Sequence, residues 1–485
     1  MNRIKQHLPF LLIATVVAIL FLLRLGRDML WDWDECLYGQ YAKEMVRTGH
    51  YLTNIWNGYI DLQKPPLFSW LLIVPTILKQ HEFGLRMVNV IASLGLLSSV
   101  YLFAKQFFNR STALLSILIL LTAEVFVIYS LKLSTDMTYT LFLFLGVWTW
   151  LSNKRWSPWI AGMLFGLATM TKGIGVIQFL GALFISLFLN YRKGRLLNFL
   201  KMFALATLVA LPWHLASYTE YGYQFVKVYF LDNIIKRSRY PIEFHRERVW
   251  FYGILVYREL MPWLLAAFTF PVVKIRSLLN LKKNETIYTI LLLVIVPLIG
   301  ITRVQTRIAW YILPLYPFLS IYLAYCLNIF IEFISVKFPK QHQRRVQNVA
   351  FCLLALLIAY DAGKLILNET RVSQVMQSID TRQEVALQVA RQPQRYLTYL
   401  VPFGERQAKV ILPPEETIDM TWVYGGNGCM VYYGDKKTEY VYEVPRFEHL
   451  LKTQPGLFLI STQDAQYAEG TKIVFRNADY ILFNR

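Results

Sequence analysis

Long apolar runs recur along the chain, at residues 8–25, 85–107, 113–131, 137–151, 156–170, 173–189, 199–216, 251–273, 287–301, 309–336 and 346–366. About 20 apolar residues coiled as a helix match the hydrocarbon thickness of a bilayer. In lipid a spanning segment must satisfy all of its own backbone polar groups, which a helix does. The pattern therefore predicts a polytopic α-helical membrane protein of about eleven spans. Two runs, 137–151 and 156–170, are short, so the expected range is about 11 to 13. Composition agrees, with 55 % hydrophobic and 17 % charged residues and a mean hydropathy of +0.38.

The N-terminus carries Arg3 and Lys5 before its apolar run, as a signal peptide does. No small-residue cleavage site follows, so an uncleaved first helix is expected. Segment 67–78 is apolar but short, follows Pro65-Pro66 and contains Pro75. It reads as an interfacial helix rather than a span. With that assignment Lys105/Arg110, Lys154/Arg155, Arg192/Lys193/Arg195, Lys274/Arg276/Lys282/Lys283 and Lys337/Lys340/Arg344/Arg345 share one side with Arg3 and Lys5. Short basic loops face the cytoplasm. The N-terminus is then cytoplasmic, and 27–84, 132–136, 171–172, 217–250, 302–307 and everything after 363 are external. A net charge of +19 fits basic loops and anionic lipid rather than nucleic acid.

Two domains are expected. Residues 1–366 form a membrane domain, with a first external loop 27–84 and a large one 217–250. Residues 367–485 form an external soluble domain. In the latter, 373–391 has helical spacing, and TWVYGG, CMVYYGD, YVYEV, LFLIS, KIVFRN and YILFNR alternate like strands. This predicts a small α/β or α+β domain, expected to cover the external cavity and to touch 217–250. The four cysteines form no CxxC pair, so neither a zinc knuckle nor a disulfide framework is indicated. Cys36 and Cys429 both fall outside and are able to pair, but the reading favours two unpaired thiols. Gly162 and Gly166 form a GxxxG pair that suits close helix packing.

Stretch 31–70 is dense in charge and aromatic rings. As irregular backbone it cannot cross lipid, and it reads as the floor of an active site. Asp34 and Glu35 lie among Trp31, Trp33 and Tyr38. A carboxylate in a partly dry aromatic pocket suits a general base, and the same pair is also a good helix-start signal. Asp136 is a second acid at a span mouth, or a cap. Lys64, stiffened by Pro65-Pro66, suits a phosphate leaving group, or is an ordinary loop lysine. External cations collect at Lys132, Lys172, Arg303 and Arg307, and in the long loop at Lys236, Arg237, Arg239, His245, Arg246 and Arg248. Singly they read as snorkelling anchors. As a set they suit a phosphate-bearing headgroup. The abundant Trp and Tyr suit interfacial belts first.

DECLYGQYAKEMVRTGHYLTNIWNGYIDLQKPPLFSW resembles the first external loop of the bacterial polyprenyl-phosphate-sugar glycosyltransferases. This is family 39, with the lipid A aminoarabinose transferases and relatives of the protein O-mannosyltransferases. EFGLRMVNVIASL, the TDM at 135–137, the TKG at 171–173, Pro212-Trp213, Pro262-Trp263 and RIAWYILPLYP add to the match. It covers about residues 1–366 and is weak over the tail. The resemblance implies a C-type glycosyltransferase fold, an active site on the outer face of the bacterial inner membrane, and inverting transfer from a polyprenyl phosphate. The acceptor is then a lipid, a protein or a glycan. It also implies catalytic roles for Asp34, with Glu35 beside it, and for Asp136. Lys64 and Tyr311 match donor-phosphate positions, and Arg307 stands where relatives often have Lys. Arg303 and Lys172 join them as phosphate candidates, and Tyr38, Arg237, Arg239 and His245 as cavity residues. Leu37 stands where the aminoarabinose transferases have Arg, and Gln63 where they have an acid. These departures weaken the lipid A assignment and leave no cofactor certain, with a divalent metal a possibility. A transporter or flippase is the alternative, and a ligand-binding sensor a third. Transporters place ionisable groups near the midplane, whereas these spans are nearly free of charge at their centres.

Overall fold

The computed structural model describes residues 2–25, 29–30, 33–78, 82–189, 194–242, 245–273, 280–281, 284–367, 381–411, 413 and 428–485. Each apolar run is helical. The membrane part comprises α1 (Asn2–Arg24), α4 (Glu82–Phe107), α5 (Arg110–Thr122), α6 (Glu124–Leu131), α7 (Thr135–Leu151), α8 (Ser157–Lys172), α9 (Ile177–Ser186) and α10 (Arg195–Tyr221). It continues with α11 (Phe251–Leu260), α12 (Glu285–Arg303), α13 (Tyr316–Ser335) and α14 (Lys340–Leu367). The first long loop adds α2 (Asp34–Thr48) and α3 (Leu67–Ile77).

Among the described residues six helices are long and apolar enough to cross a membrane, or up to eight if two bent pairs each count once. The remaining runs form helices of 17, 16 and 10 residues. α5 and α6 bend by 76°, and α11 bends by 103° against Trp263–Val273. The second bend falls at Pro262, which has no N–H to continue a helical ladder. The two breaks meet, because the Glu259 carboxylate accepts the Val125 N–H at 3.3 Å. It thereby satisfies an amide that the break in the first pair leaves open. α3 has 11 residues, too few to span, in line with the interfacial reading. Gly162 and Gly166 let α8 lie against α10: a Cβ at Gly162 would sit 2.6 Å from the Met202 carbonyl oxygen, and one at Gly166 2.5 Å from Val209. The GxxxG pair serves packing within the chain.

α2 ends at Gly49, whose φ of 72° is the left-handed stop that glycine makes cheaply. A hairpin follows, β1 (Asn54–Trp56) with β2 (Tyr59–Asp61), paired antiparallel. Its turn residues Asn57 and Gly58 have φ of 48° and 80°, as an Asn-Gly hairpin turn requires.

The C-terminal region contains α15 (Thr381–Ala390), β3 (Tyr396–Leu400), α16 (Phe403–Ile411), α17 (Gly428–Gly434), β4 (Lys437–Val441), α18 (Val444–Thr453), β5 (Leu457–Ser461), β6 (Lys472–Arg476) and β7 (Tyr480–Asn484). The sheet order is β4-β3-β5-β7-β6. β3 pairs parallel with β4 and β5, while β7 pairs antiparallel with β5 and β6. The parallel pairs need crossovers, which the helices supply, so the domain is α/β with a mixed sheet. YVYEV, LFLIS, KIVFRN and YILFNR overlap the strands β4 to β7. CMVYYGD is a correction, being helix α17. Met430 packs with the sheet cluster, whereas Cys429, Val431 and Tyr432 pack with α2. A helix covered on both faces is apolar all round and loses its helical period. Strand β3 lies before the alternating stretch, and TWVYGG lies outside the described residues.

The docking of this domain corrects one further expectation. Cys36 and Cys429 form a disulfide across 393 residues of sequence, where unpaired thiols were favoured. The domain meets the 27–84 loop in its principal described contacts. The Tyr433 hydroxyl accepts from the Leu30 N–H at 2.6 Å and donates to Glu82 at 2.7 Å. Gln383 donates to the Leu30 carbonyl at 2.6 Å. Asn57 exchanges two hydrogen bonds with the Thr438 backbone, at 2.6 and 2.7 Å. Lys43 pairs with Asp435 at 2.8 Å.

Candidate functional site

α2 opens on two acids, which the positive end of a helix dipole favours. The residue before them, Trp33, has φ 66° and ψ −91°. That conformation costs a non-glycine residue on the order of 1–3 kcal/mol and persists only where its surroundings enforce it. From this turn Asp34 and Glu35 diverge. Glu35 is fully buried. Its oxygens accept from Arg86 Nε at 2.9 Å and Nη2 at 2.6 Å, and from the Leu133 N–H at 2.7 Å. It is a buried ion-pair anchor between α2, α4 and the α6–α7 turn. Asp34 is half-buried. Its carboxylate has no hydrogen-bond or ion-pair partner among the described residues.

Tyr38 follows one turn along the same face of α2. Lys64 donates to its hydroxyl and lies 4.9 Å from its ring centre. The Tyr38 ring is held edge-on by Phe68 at 5.3 Å. Lys64 is aimed by its neighbours: Pro65 and Pro66 follow it, and Asn54 donates to its carbonyl at 3.1 Å. Burial, eased by the Lys64 cation and reinforced by Asp34 and Asp136, pushes the Tyr38 phenol up to about 12. Burial alone would lower Lys64. The Tyr38 oxygen and the Asp34 and Asp136 carboxylates outweigh it and raise the ammonium above its ordinary value. At neutral pH Lys64 is therefore a cation and Tyr38 keeps its proton.

Asp136 enters in the first turn of α7, capped by Ser134, and forms an ion pair with Lys172 at the end of α8. Lys172 lies 5.9 Å from the Tyr139 ring centre and 5.1 Å from that of Tyr311. Lys132 sits 5.6 Å from the Tyr129 ring centre and 5.7 Å from that of Trp310. Tyr129 feels Asp136, Asp34 and Tyr38, so these groups share one neighbourhood. Asp34, Tyr38, Lys64, Asp136, Lys172 and Tyr311, far apart in sequence, are thus brought together. Tyr129, Tyr139, Trp310 and Lys132 complete the wall. The three rings were missed because span-end aromatics read as membrane belts, while their recurrence beside the lysines was an available signal.

The remaining candidates gather elsewhere. Residues 237–242 and 245–248 are zipped to 302–308: Thr306 N–H donates to the Arg237 carbonyl at 3.2 Å, Gln305 N–H to that of Ser238 at 3.1 Å, and Arg307 N–H to that of His245 at 3.3 Å. The buried Arg307 guanidinium donates to the Glu247 carbonyl at 2.6 Å and twice to that of Thr302, at 3.0 and 3.3 Å. Arg307 thus clamps these loop segments together. Arg237 bonds Asn233 at 3.3 Å, and His245 bonds the Ile242 carbonyl at 3.0 Å. Arg239 and Arg303 are exposed. Among the described residues no three His, Cys, Asp or Glu side chains converge to hold a metal ion. Near Gln63, Asp61 is engaged by the Tyr41 hydroxyl and by the Gln63 N–H.

Residues 63–216 match the family model described as dolichyl-phosphate-mannose-protein mannosyltransferase. An uncharacterized protein of Aquifex aeolicus is 30 % identical over 331 residues, 66 % of this chain and 64 % of that relative. The undecaprenyl phosphate-alpha-4-amino-4-deoxy-L-arabinose arabinosyl transferase of Shewanella sediminis is 24 % identical over 342 residues, 67 % of this chain and 60 % of that one. The chain thus spans less than two thirds of the length of these curated relatives. The crystal structure of ArnT from Cupriavidus metallidurans bound to undecaprenyl phosphate shares the fold, with a TM-score of 0.75 at 14 % identity over 98 % of both chains. An Archaeoglobus fulgidus oligosaccharyltransferase gives a TM-score of 0.57 at 12 % identity, over 91 % of this chain and 65 % of that one. The chain thus shares the C-type glycosyltransferase fold, and in sequence it is similar to the groups that its loop motifs resemble.

Proposed function

We propose that the chain moves a sugar from a polyprenyl phosphate donor to a cell-envelope acceptor at the outer face of the bacterial inner membrane, with inversion. The carrying observation is the Asp34 carboxylate, without a hydrogen-bond or ion-pair partner among the described residues, beside the Lys64–Tyr38 pair. The acceptor oxygen attacks the anomeric carbon as the bond to the lipid phosphate breaks, and the phosphate leaves with the electron pair. Lys64 stands where that developing negative charge needs a cation, and its bond to Tyr38 fixes its direction. Lys172, steered by Asp136, is the second cation available to it. With a hydroxyl acceptor, Asp34 takes the proton. With a phosphate acceptor it orients the attack or balances oxocarbenium charge. A single displacement inverts the anomeric centre.

The outside orientation of this site is supported by the basic loops on the opposite side and by the Cys36–Cys429 disulfide, since disulfides persist in oxidising compartments. Arg237, Arg239, Arg303 and His245 ring the zipped loops, where an anionic headgroup or acceptor would meet them. The acceptor class, whether lipid, protein or surface glycan, is read out by the test. Membranes carrying the parent, Asp34→Asn or Lys64→Ala are supplied with a panel of polyprenyl-phosphate sugars. Transfer of one sugar by the parent, lost in both correctly inserted variants, is the expected result. Donor consumption by neither parent nor variants refutes the catalytic reading in favour of lipid-linked-sugar transport, and equal transfer in all three removes Asp34 and Lys64 from the reaction.

A further inference from the structure

We propose that the C-terminal domain positions the active site, with α17 holding the Trp33–Asp34 turn in its unusual conformation. The inference rests on the reading of Asp34 as the reacting carboxylate. It assigns positioning roles to Gly428, Cys429, Tyr432 and Tyr433.

Five observations converge on one turn. Gly428 opens α17 against the backbone of Trp33: a Cβ there would stand 3.0 Å from the Trp33 carbonyl oxygen, 3.1 Å from its Cα and 3.3 Å from its N. Backbone cannot swing aside as a flexible side chain does. Cys429 is bonded to Cys36, two residues beyond Asp34. Tyr432 lies on α2 at Gly39, where a Cβ would come within 2.9 Å of its ring. Tyr433 bonds the Leu30 N–H, three residues before Trp33, and anchors that point to Glu82 on α4. Gln383 of α15 takes the Leu30 carbonyl. The chain is thus gripped before and after Trp33 and packed against at Trp33 itself. A residue at φ 66° that has no glycine to relax it needs such enclosure to persist. What the turn decides is the direction in which Asp34 leaves α2, while Glu35 next to it is fixed independently by Arg86. A misplacement of about 1 Å at a reacting group can cost about 10²-fold in rate.

The test compares the full-length parent with Gly428→Ala and, as control, Gly404→Ala, whose Cβ meets nothing within 4 Å. Two readouts are taken: kcat and KM for sugar transfer, and hydrogen exchange of the backbone around Leu30–Tyr38. For Gly428→Ala, kcat is expected to fall about 10²-fold with KM within about twofold. Exchange is expected to rise around Leu30–Tyr38 but not along α4, with the disulfide still formed on non-reducing gels. Exchange and kcat matching the Gly404→Ala control would overturn the proposal. If the parent transfers no sugar, the enzyme reading fails by itself, and the exchange comparison still decides whether α17 holds this turn. Should Gly428→Ala not fold, Tyr433→Phe removes two hydrogen bonds at nearly constant volume and is judged by the same readouts.

Discussion

The Lys64 ammonium and the Tyr38 hydroxyl are hydrogen-bonded across the first long loop, one helical turn from Asp34. The bond couples aim to charge, because Tyr38 takes one of the ammonium protons and leaves the others for an anion. Tyr38→Phe keeps the ring that packs on Phe68 and removes only that acceptor. Its expected effect is a loss of about tenfold in kcat/KM, from one charged hydrogen bond of about 1.5–3 kcal/mol partly replaced by water. Lys64→Ala is expected to lose about 10²–10³-fold, as for other groups facing a developing anion. Steady-state transfer kinetics in membranes check both, and the order of the two losses is the discriminating feature.

Both partners lie above their ordinary values in the folded chain, and the sign of the linkage follows. A group that binds its proton more tightly when folded adds stability below its unfolded pKa, about 10 for Tyr and about 10.4 for Lys. That contribution is lost as pH rises through the folded values, which for Tyr38 means toward about 12. Denaturation of the detergent-solubilised protein should therefore show no loss traceable to this pair between about pH 7 and 9. A Lys64→Ala/Tyr38→Phe double variant should show less of the alkaline decline above about pH 10 than the parent.

Glu35 and Asp34 are adjacent, yet their substitutions are expected to fail differently. Glu35→Ala leaves the Arg86 guanidinium buried without its carboxylate, at a cost of about 3–5 kcal/mol. The loss should appear as reduced folded protein and a lower melting temperature. Asp34→Asn should leave melting unchanged and remove turnover. Thermal unfolding beside activity per folded molecule separates the two, and an Arg86→Met/Glu35→Leu pair is expected to recover much of the stability.

Thiol accessibility provides a direct check on the docking of the C-terminal domain. Cys36 and Cys429 are joined, while Cys326 and Cys352 are free. In denaturant without reductant, a maleimide should modify Cys326 and Cys352 only. With reductant all four should react. Peptide mapping by mass spectrometry resolves the pattern, and labelling of Cys36 before reduction would remove the cross-link from the account.

The sequence revealed those features whose cause is local. Apolar length marks the helices, Pro65-Pro66 mark the entry to α3, and alternation marks β4 to β7. Asn57-Gly58, flanked by IW and YI, was equally local and was passed over. Features that depend on a partner were hidden. Cys36 and Cys429 are separated by 393 residues, and nothing near either one announces the other. α17 looked like a strand because its two faces are buried against different neighbours, leaving an apolar run without a period. Asp34 and Glu35 are equivalent as letters, and only Arg86, 51 positions downstream of Glu35, tells them apart. Site residues on short turns, Lys64, Asp136 and Lys172, were legible because charge at the end of an apolar run is conspicuous. Their aromatic lining was not, since rings at span ends have a simpler explanation in the bilayer interface.

Arg307 separates a phosphate ligand from a loop clamp most sharply. As a ligand it needs positive charge, and Arg307→Lys should keep most of the function. As a clamp it needs the planar fork, because Nε and Nη2 together hold the Thr302 carbonyl while Nη1 reaches that of Glu247. A lysine offers one compact ammonium and cannot span both carbonyls. The arrangement predicts that Arg307→Lys and Arg307→Ala weaken the loop pairing to a similar extent, on the order of 2–3 kcal/mol for the charged hydrogen bonds lost. Limited proteolysis within 237–248 should then accelerate in both variants. Donor-phosphate affinity, measured as KM for the lipid-linked sugar, should change by no more than the loop disorder itself brings. Full rescue by lysine, with protection of 237–248 intact, would return Arg307 to the phosphate.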